Sequence, residues 1–240
     1  MIKKHLSVLM LFTRSTLNKF LLIVFVMTAA QSALFAFTFQ SLSGSGRFGL
    51  DTLLDAVSPQ VICAVCFLML CALMCLTGCE FGSKQSYTLS RLRISEKKVF
   101  LWQAVNNAGL LLLFLAAQIS IIFVFCGIYT AHYPQPQAAV LVFYANDFLH
   151  NLFPLAETSR HFFNVILLLS LAITSACFPA RLRRGEKPVS FFAVVLIGVL
   201  SFTRSKGNIG LDVWLSIVNI LFSIVSTLNV WKEASDEKIS

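Results

Sequence analysis

Charged residues are scarce in this chain. They make up 12% of its 240 residues, against about a quarter in an average soluble domain. Hydrophobic residues make up 57%, and the mean hydropathy is +0.79. This composition excludes an ordinary soluble globular domain. It predicts a protein whose solvent is largely the lipid bilayer.

Motifs for catalysis and nucleotide binding are also missing. No GxxxxGK[ST] occurs, so the chain has no P-loop for ATP, and it has no HExxH motif. Neither paired carboxylates in a membrane segment nor a set of nucleophile and base can be recognised. We therefore expect no catalytic residues, no enzyme activity and no cofactor bound by this chain. Six membrane spans would leave no room for an attached catalytic domain.

What the chain does contain is a series of long apolar stretches. A helix needs about 20 apolar residues to cross ~30 Å of hydrocarbon. The sequence therefore predicts an all-α, polytopic membrane protein with six transmembrane helices. The stretches cover residues 20–39, 60–79, 99–129, 162–180, 189–203 and 211–231.

We interpret the six spans as free of Asp, Glu, Lys, Arg and His. Ion-coupled carriers commonly place ionisable groups at membrane depth, so energy for transport is expected from outside the bilayer. Most of the neutral polar residues are expected to hydrogen-bond neighbouring helices. Gln31, Gln118 and Asn219 are also candidates for a translocation path. The neutral polar residues of the spans are Gln31, Gln103, Asn106, Asn107, Gln118, Asn164 and Asn219.

The basic residues are distributed unevenly about the spans. With the N-terminus inside, 15 of the 19 Lys and Arg residues flank the inner ends of the spans. Cytoplasmic flanks retain such residues. The pattern therefore predicts a multi-pass protein of the plasma (inner) membrane with both termini cytoplasmic. Because the positive charge is split among flanks, it favours lipid headgroups and excludes a nucleic-acid partner.

The regions between and beside the spans carry further predictions. Residues 1–19 are predicted to form an interfacial amphipathic helix, 20–231 the transmembrane domain and 232–240 a cytoplasmic tail. The outer segment 130–161 is predicted to hold a short helix at the outer interface with aromatic residues at headgroup depth. Its apolar patch comprises Val140, Phe143, Tyr144, Phe148 and Phe153.

Cysteine and histidine do not indicate a metal site. All seven cysteines fall in predicted spans, where cysteine acts as a small apolar residue. Cys71, Cys75 and Cys79 are interpreted as a narrow stripe that lets a neighbouring helix approach. The outer histidines follow no metal-binding spacing. The other cysteines are Cys63, Cys66, Cys126 and Cys177, and the outer histidines are His132, His150 and His161.

The segment 80–98, between the second and third spans, mixes apolar and basic residues. It is too short for a folded domain, but it suits a small helix docked into a groove on a soluble partner. It begins with Glu80, continues through the run Tyr87-Thr88-Leu89 and ends with Ile94-Ser95 and Lys97-Lys98-Val99.

In this segment the chain resembles the membrane subunits of type-2 ABC exporters. In that family an acidic residue ends the second span, and a short coupling helix follows. A stretch like T-L-x-x-x-P-I-S-R-x-x-I then leads into the third span. The resemblance extends over nearly the whole chain, because the six spans, the N-terminal helix and the inner C-terminus also fit. Family members place a partly re-entrant segment between spans five and six, and a dipping turn is expected at 207–210.

The resemblance implies a mechanism and a set of partners. Two permease chains, identical or related, enclose a path, while separate ABC ATPase subunits bind ATP and Mg and close on each other. The coupling segment transmits that closure to the spans, and an uncharged path suits an amphipathic cargo such as a peptide, drug or lipid. A non-transporting regulatory or immunity protein and an ATP-independent carrier stay open as alternatives. The implied ATPase-coupling residues are Glu80, Tyr87, Leu89, Arg91 and Arg93.

Overall fold

The structure is a computed structural model that describes residues 2–43, 49–76, 96–133, 138–155, 157–183, 185–202 and 208–236. Within these residues there are nine helices and no strand, so the predicted all-α class is confirmed. The helices are α1 (Ile2–Ser43), α2 (Leu50–Val57), α3 (Pro59–Leu76), α4 (Glu96–His132), α5 (Ala138–Ala145), α6 (Asp147–Leu152), α7 (Thr158–Arg183), α8 (Val189–Phe202) and α9 (Ile209–Asp236).

Glycine and proline account for several helix boundaries. Helix α1 contains neither residue over its whole length and is followed in sequence by Gly44. Helix α3 begins with Pro59, which suits a first helical position because its missing N–H would have no partner there. Helix α8 begins directly after Pro188. These residues set where the apolar stretches start and stop as helices.

Five helices are long and apolar enough to cross a membrane. They are Phe12–Ser43, Pro59–Leu76, Lys97–His132, Thr158–Leu182 and Ile209–Trp231. The sixth predicted span corresponds to α8, which is apolar but only 14 residues long. At 1.5 Å per residue it covers ~21 Å, less than the ~30 Å hydrocarbon core. The described helices are therefore compatible with a multi-pass membrane protein, but a count of six full spans is not established.

The N-terminal region forms one uninterrupted helix. Residues 1–19 were expected to form a helix on the inner membrane face, ahead of a span that begins at residue 20. Instead, α1 runs from Ile2 to Ser43 over 42 residues without a break. No glycine or proline separates the two parts, so the same helical hydrogen bonding continues through them. The interfacial placement of the first residues stays a prediction.

Contacts between helices fix the relative directions of the long elements. Helix α7 is antiparallel to α8, because Arg160 near its start reaches Ser201, while Arg181 near its end reaches Ser190. Lys97, at the start of α4, lies 5.5 Å from the ring centroid of Trp231, near the end of α9.

Helix α1 is parallel to α4. Thr13 pairs with Asn106 near the starts of these helices, and Gln31 pairs with Gln118 further along both of them. The start of α1 and the end of α9 therefore lie at the same end of the bundle. This end is called the terminal end below, and the opposite one the far end.

Three short helices cover the far end. Asn146, between α5 and α6, donates a 2.7 Å hydrogen bond to Asp55 on α2. Phe148 on α6 packs against Phe202 at the end of α8, with ring centroids 6.0 Å apart. The outer segment was predicted to carry one short helix with aromatic residues at headgroup depth. It carries two, α5 and α6, and both Phe143 and Phe148 are buried in the packed core.

Helix α2 was not predicted. Its buried residues are Leu50, Leu53, Leu54 and Val57. They recur at helical spacing, which places them on one face. That periodicity is visible in the sequence, although the segment is too short to count as a span.

Candidate functional site

A buried ion pair lies at the far end of the bundle. Arg160, in the first turn of α7, places its Nη1 2.7 Å from Oδ1 of Asp212, in the first turn of α9. Their side chains are 3% and 4% exposed. The expectation that the apolar stretches hold no ionisable residue is therefore wrong at one point, because Asp212 is the second residue of the stretch 211–231. The carboxylate is tolerated there because Arg160 compensates its charge.

Arg160 also joins the ends of two other helices. Its Nη2 donates a 3.3 Å hydrogen bond to the carbonyl oxygen of Ser201, in the last turn of α8. A cation at a helix C-terminus and a carboxylate at a helix N-terminus both interact favourably with the helix dipoles. The guanidinium further lies 5.0 Å from the ring centroid of Phe163. One arginine therefore connects α7, the end of α8 and the start of α9.

Arg181 makes the corresponding contacts at the terminal end. Its Nε lies 3.1 Å from Glu186 Oε2, and its Nη1 donates to Ser190 Oγ at 3.0 Å. Ser190 Oγ in turn lies 2.6 Å from Ser226 Oγ on α9. The short helix α8 is thus held at both ends by arginines of α7. Polar groups at the ends of a helix too short to cross the hydrocarbon core need such partners within the protein.

The neutral polar residues mostly bridge pairs of helices. Gln31 Nε2 donates to Gln118 Oε1 at 3.0 Å, and both side chains are fully buried. Asn107 Nδ2 donates to Ser175 Oγ at 2.9 Å between α4 and α7. Such bonds contribute roughly 0.6–2 kcal/mol each to helix association. The structure therefore brings Gln31 and Gln118 together as a packing contact, and their role in a translocation path stays a prediction.

Asn219 lies elsewhere in the bundle. It is fully buried on α9, where its backbone carbonyl accepts a 3.2 Å hydrogen bond from Ser170 Oγ of α7. Its side-chain amide has no hydrogen-bond partner among the described residues. Within the described part of the chain, no hydrogen bond connects it with the Gln31 and Gln118 pair, so the three candidate path residues do not form one site.

A cleft of about 80 Å³ opens between α3, α4, α6, α7 and α8. Its wall is mainly apolar and includes Phe67, Phe114 and Leu168. Asn164 and Ser201 supply polar groups. A Cβ at Gly198 would meet Phe67 Cζ at 3.0 Å, so any larger residue there requires the Phe67 ring to shift. This cleft was not predicted, because it is built from residues far apart in the sequence.

The cysteines and histidines do not assemble into a cluster in the described part of the chain. No group of three or more His, Cys, Asp or Glu residues lies close enough there to hold a metal ion. Cys71 and Cys75 are buried on α3, as the proposed stripe requires, whereas Cys79 lies outside the described residues. His150 Nε2 lies 3.5 Å from Glu157 Oε2 at the far end.

The predicted ATPase-coupling residues lie outside the described part of the chain. They are Glu80, Tyr87, Leu89, Arg91 and Arg93. The flanking helices are described: α3 ends at Leu76 and α4 begins at Glu96. Since the start of α4 lies next to the end of α9, the connection returns to the bundle at the terminal end.

No family model, curated protein or solved structure matches this chain. Function is therefore inferred from the chain's own residues.

The two ends of the bundle differ in charge. Among the described residues, helix directions and chain order place five acidic residues and one basic residue at the far end, against four acidic and ten basic residues at the terminal end. The terminal end is therefore strongly basic. The described far-end acidic residues are Asp51, Asp55, Asp147, Glu157 and Asp212, and the described basic one is Arg160.

Proposed function

We propose that this chain is the membrane-spanning permease subunit of an ATP-driven ABC exporter that moves an amphipathic cargo across the plasma membrane. Separate ATPase chains and a second permease chain complete the assembly. One observation is the main support for the proposal. The start of α1, the end of α9 and the helix end that receives the connection 77–95 all lie at one strongly basic end of the bundle.

The charge asymmetry supports the orientation that this proposal needs. Lys and Arg are retained on the cytoplasmic side of membrane helices, so the basic terminal end is assigned to the cytoplasm. Helix α4, which begins directly after the connection 77–95, then starts on the side where ATP is available. In the proposed assembly, Glu80, Tyr87, Leu89, Arg91 and Arg93 contact the ATPase.

The distribution of acidic residues supports an external source of energy. Asp212 is the one acidic residue within the five long spans of the described chain, and Arg160 compensates its charge. A carboxylate held this way at the end of a span is not placed to exchange ions along a path through the bilayer, unlike the ionisable groups of many coupled carriers.

An ATP-independent, ion-coupled carrier is the second candidate. The specific observation in its favour is again Asp212, because a buried carboxylate in a membrane helix commonly marks an ion or proton pathway. The two candidates differ in what neutralising this residue does. Asp212→Asn abolishes gradient-driven uptake by an ion-coupled carrier, whereas an ATP-driven exporter keeps its nucleotide dependence.

The decisive experiment is purification of the complex in detergent. The exporter proposal expects a P-loop ATPase to copurify with this chain, and expects Arg91→Glu combined with Arg93→Glu to remove it. The matched control is Lys19→Glu combined with Lys98→Glu, which makes the same change in charge at exposed positions of the same end. The control is expected to keep the ATPase.

Three outcomes would contradict the proposal. Isolation of this chain alone, under conditions that preserve membrane complexes, favours a regulatory or immunity protein. Equal loss of the ATPase in both double variants shows that general electrostatic attraction, and not the segment 80–98, holds the partner. ATP-independent, gradient-driven transport by the purified chain in vesicles supports the carrier.

A further inference from the structure

We propose that the cleft between α3, α4, α6, α7 and α8 binds one hydrocarbon chain of an amphipathic molecule, with the molecule's neutral polar group at Asn164. The inference concerns binding and does not depend on the proposed exporter function. It rests on the size of the cleft, the separation of its apolar and polar walls, and the position of its mouth.

The size and composition of the cleft suit the end of an aliphatic chain. Its volume of about 80 Å³ is roughly half that of an engineered apolar cavity of ~150 Å³ that admits benzene. Phe67, Phe114, Leu168 and Leu171 line its interior. A space lined in this way disfavours water, because water needs several polar partners. A peptide or a polycyclic compound is too large to enter.

The polar residues of the cleft lie on its side nearest the far end of the bundle. Asn164 is one helical turn from Arg160 on the same face of α7, and its Nδ2 donates a 2.8 Å hydrogen bond to the carbonyl of Asn151. Among the described residues, the second amide hydrogen and the carbonyl oxygen of Asn164 have no hydrogen-bond partner and can bind a ligand. Because Asp212 already compensates Arg160, this end favours a neutral ester or hydroxyl over a carboxylate.

The accessible members of the lining mark the mouth of the cleft. Leu115, Leu152 and Asn164 are partly exposed, whereas Phe114, Leu168 and Leu171 are buried. The amide therefore stands at the mouth and the apolar wall lies behind it. An acyl chain entering here buries its methyl end against Phe67 and leaves its ester beside Asn164. This chemistry is shared by the acyl chain of a bilayer phospholipid and by a free monoacylglycerol.

Photolabelling of the full chain in vesicles tests the proposal and distinguishes the two sources. The vesicles contain phosphatidylglycerol and phosphatidylethanolamine. In one arm, a phospholipid carries a diazirine at the end of one acyl chain; in the other, monolauroylglycerol carries it. Mass spectrometry then locates the modified residues. We expect label on Phe67, Leu168 or Leu171. The probe that labels these residues shows whether the bound chain comes from a bilayer phospholipid or from a free monoacylglycerol.

Two tryptophan variants separate cleft binding from contact with bulk lipid. Leu115→Trp fills the mouth and is expected to reduce cleft labelling about tenfold. Leu112→Trp changes a side chain of the same helix that is 57% exposed, and it is expected to leave cleft labelling unchanged.

Asn164→Leu keeps the size of the mouth but removes the amide, and it is expected to weaken cleft labelling by an ester-bearing probe. Leu152→Trp replaces Leu115→Trp if the latter does not fold.

Labelling confined to exposed positions such as Leu112 and Leu113 in both arms would overturn the inference. Cleft labelling that is equal in the wild type, Leu115→Trp and Leu112→Trp would also overturn it, since the label would then enter by another route. Cleft labelling that survives Asn164→Leu at full strength would refute the assigned orientation.

Discussion

An arginine at each end of α7 forms an ion pair with a carboxylate, and the two pairs differ in their exposure to solvent. Arg160 and Asp212 form a 2.7 Å pair whose side chains are 3% and 4% exposed. Arg181 and Glu186 form a 3.1 Å pair whose side chains are 13% and 38% exposed. Each arginine also hydrogen-bonds α8. The far end is thus closed by a buried pair and the terminal end by a partly solvated one.

This difference in exposure determines what each pair does for the fold. Removing one partner of a buried pair leaves an uncompensated charge in a medium of low dielectric constant. Removing a partner of a solvated pair lets water replace it. The far end is therefore expected to be rigid, and the terminal end to tolerate rearrangement of its ion pair.

The largest expected effect concerns which end faces the cytoplasm. In intact cells, a membrane-impermeant maleimide is expected to label Asp51→Cys, at the far end, and not Lys98→Cys, at the terminal end. Lys98→Cys is expected to react only after the membrane is permeabilised. Both positions are exposed. The unsubstituted chain is the control, because its six described cysteines are buried. The reverse labelling pattern would invert the orientation assigned above.

The second effect is on stability at the far end. Asp212→Ala is expected to lower the free energy of unfolding by about 3–5 kcal/mol, because Arg160 is then buried without its counter-ion. Unfolding by SDS, followed by circular dichroism, measures this loss. The control is Arg160→Met combined with Asp212→Leu, which removes both charges and is expected to recover most of the loss. A loss in Asp212→Ala no larger than that in the double variant would show that the charge is not effectively buried.

The smallest effect is expected at the terminal end. Glu186→Ala is expected to lower the free energy of unfolding by no more than about 1 kcal/mol, since the carboxylate is partly solvated and exposed pairs contribute little. The same SDS titration measures this loss in the free energy of unfolding, which is expected to be smaller still at high salt concentration. Arg181 keeps its hydrogen bond to Ser190 in this variant. A loss as large as that of Asp212→Ala would remove the contrast between the two ends.

Much of the architecture could be predicted because apolar length and helix termination are local properties. The stretches at 20–39, 99–129, 162–180 and 211–231 fall on α1, α4, α7 and α9, and the described part of the stretch 60–79 falls on α3. Helix α2 was missed although its apolar spacing is readable. The continuity of α1 was missed because basic residues near its start suggested a separate interfacial helix.

The site could be predicted less well because its geometry is not local. Asp212 was overlooked at the edge of an apolar stretch, and Arg160 belongs to the outer segment 130–161, for which only an interfacial helix was predicted. Fifty-two positions separate them, so only the packing of α7 against α9 brings them to 2.7 Å. Gln31 and Gln118, in contrast, were both named as candidates, because a neutral amide inside an apolar stretch is conspicuous. What the sequence could not indicate was that they bond each other.

The continuity of α1 has a mechanical consequence. A helix of 42 residues is ~63 Å long, more than the ~40–45 Å thickness of a bilayer with its headgroups. Its hydrogen bonds to α4 at Thr13 and Gln31 hold it along much of this length. As a stiff rod turning about its midpoint, it would displace each tip by ~5 Å for a tilt of ~10°. A lateral push on Ile2 is thereby delivered as motion in the opposite direction at Ser43, at the other end of the same helix.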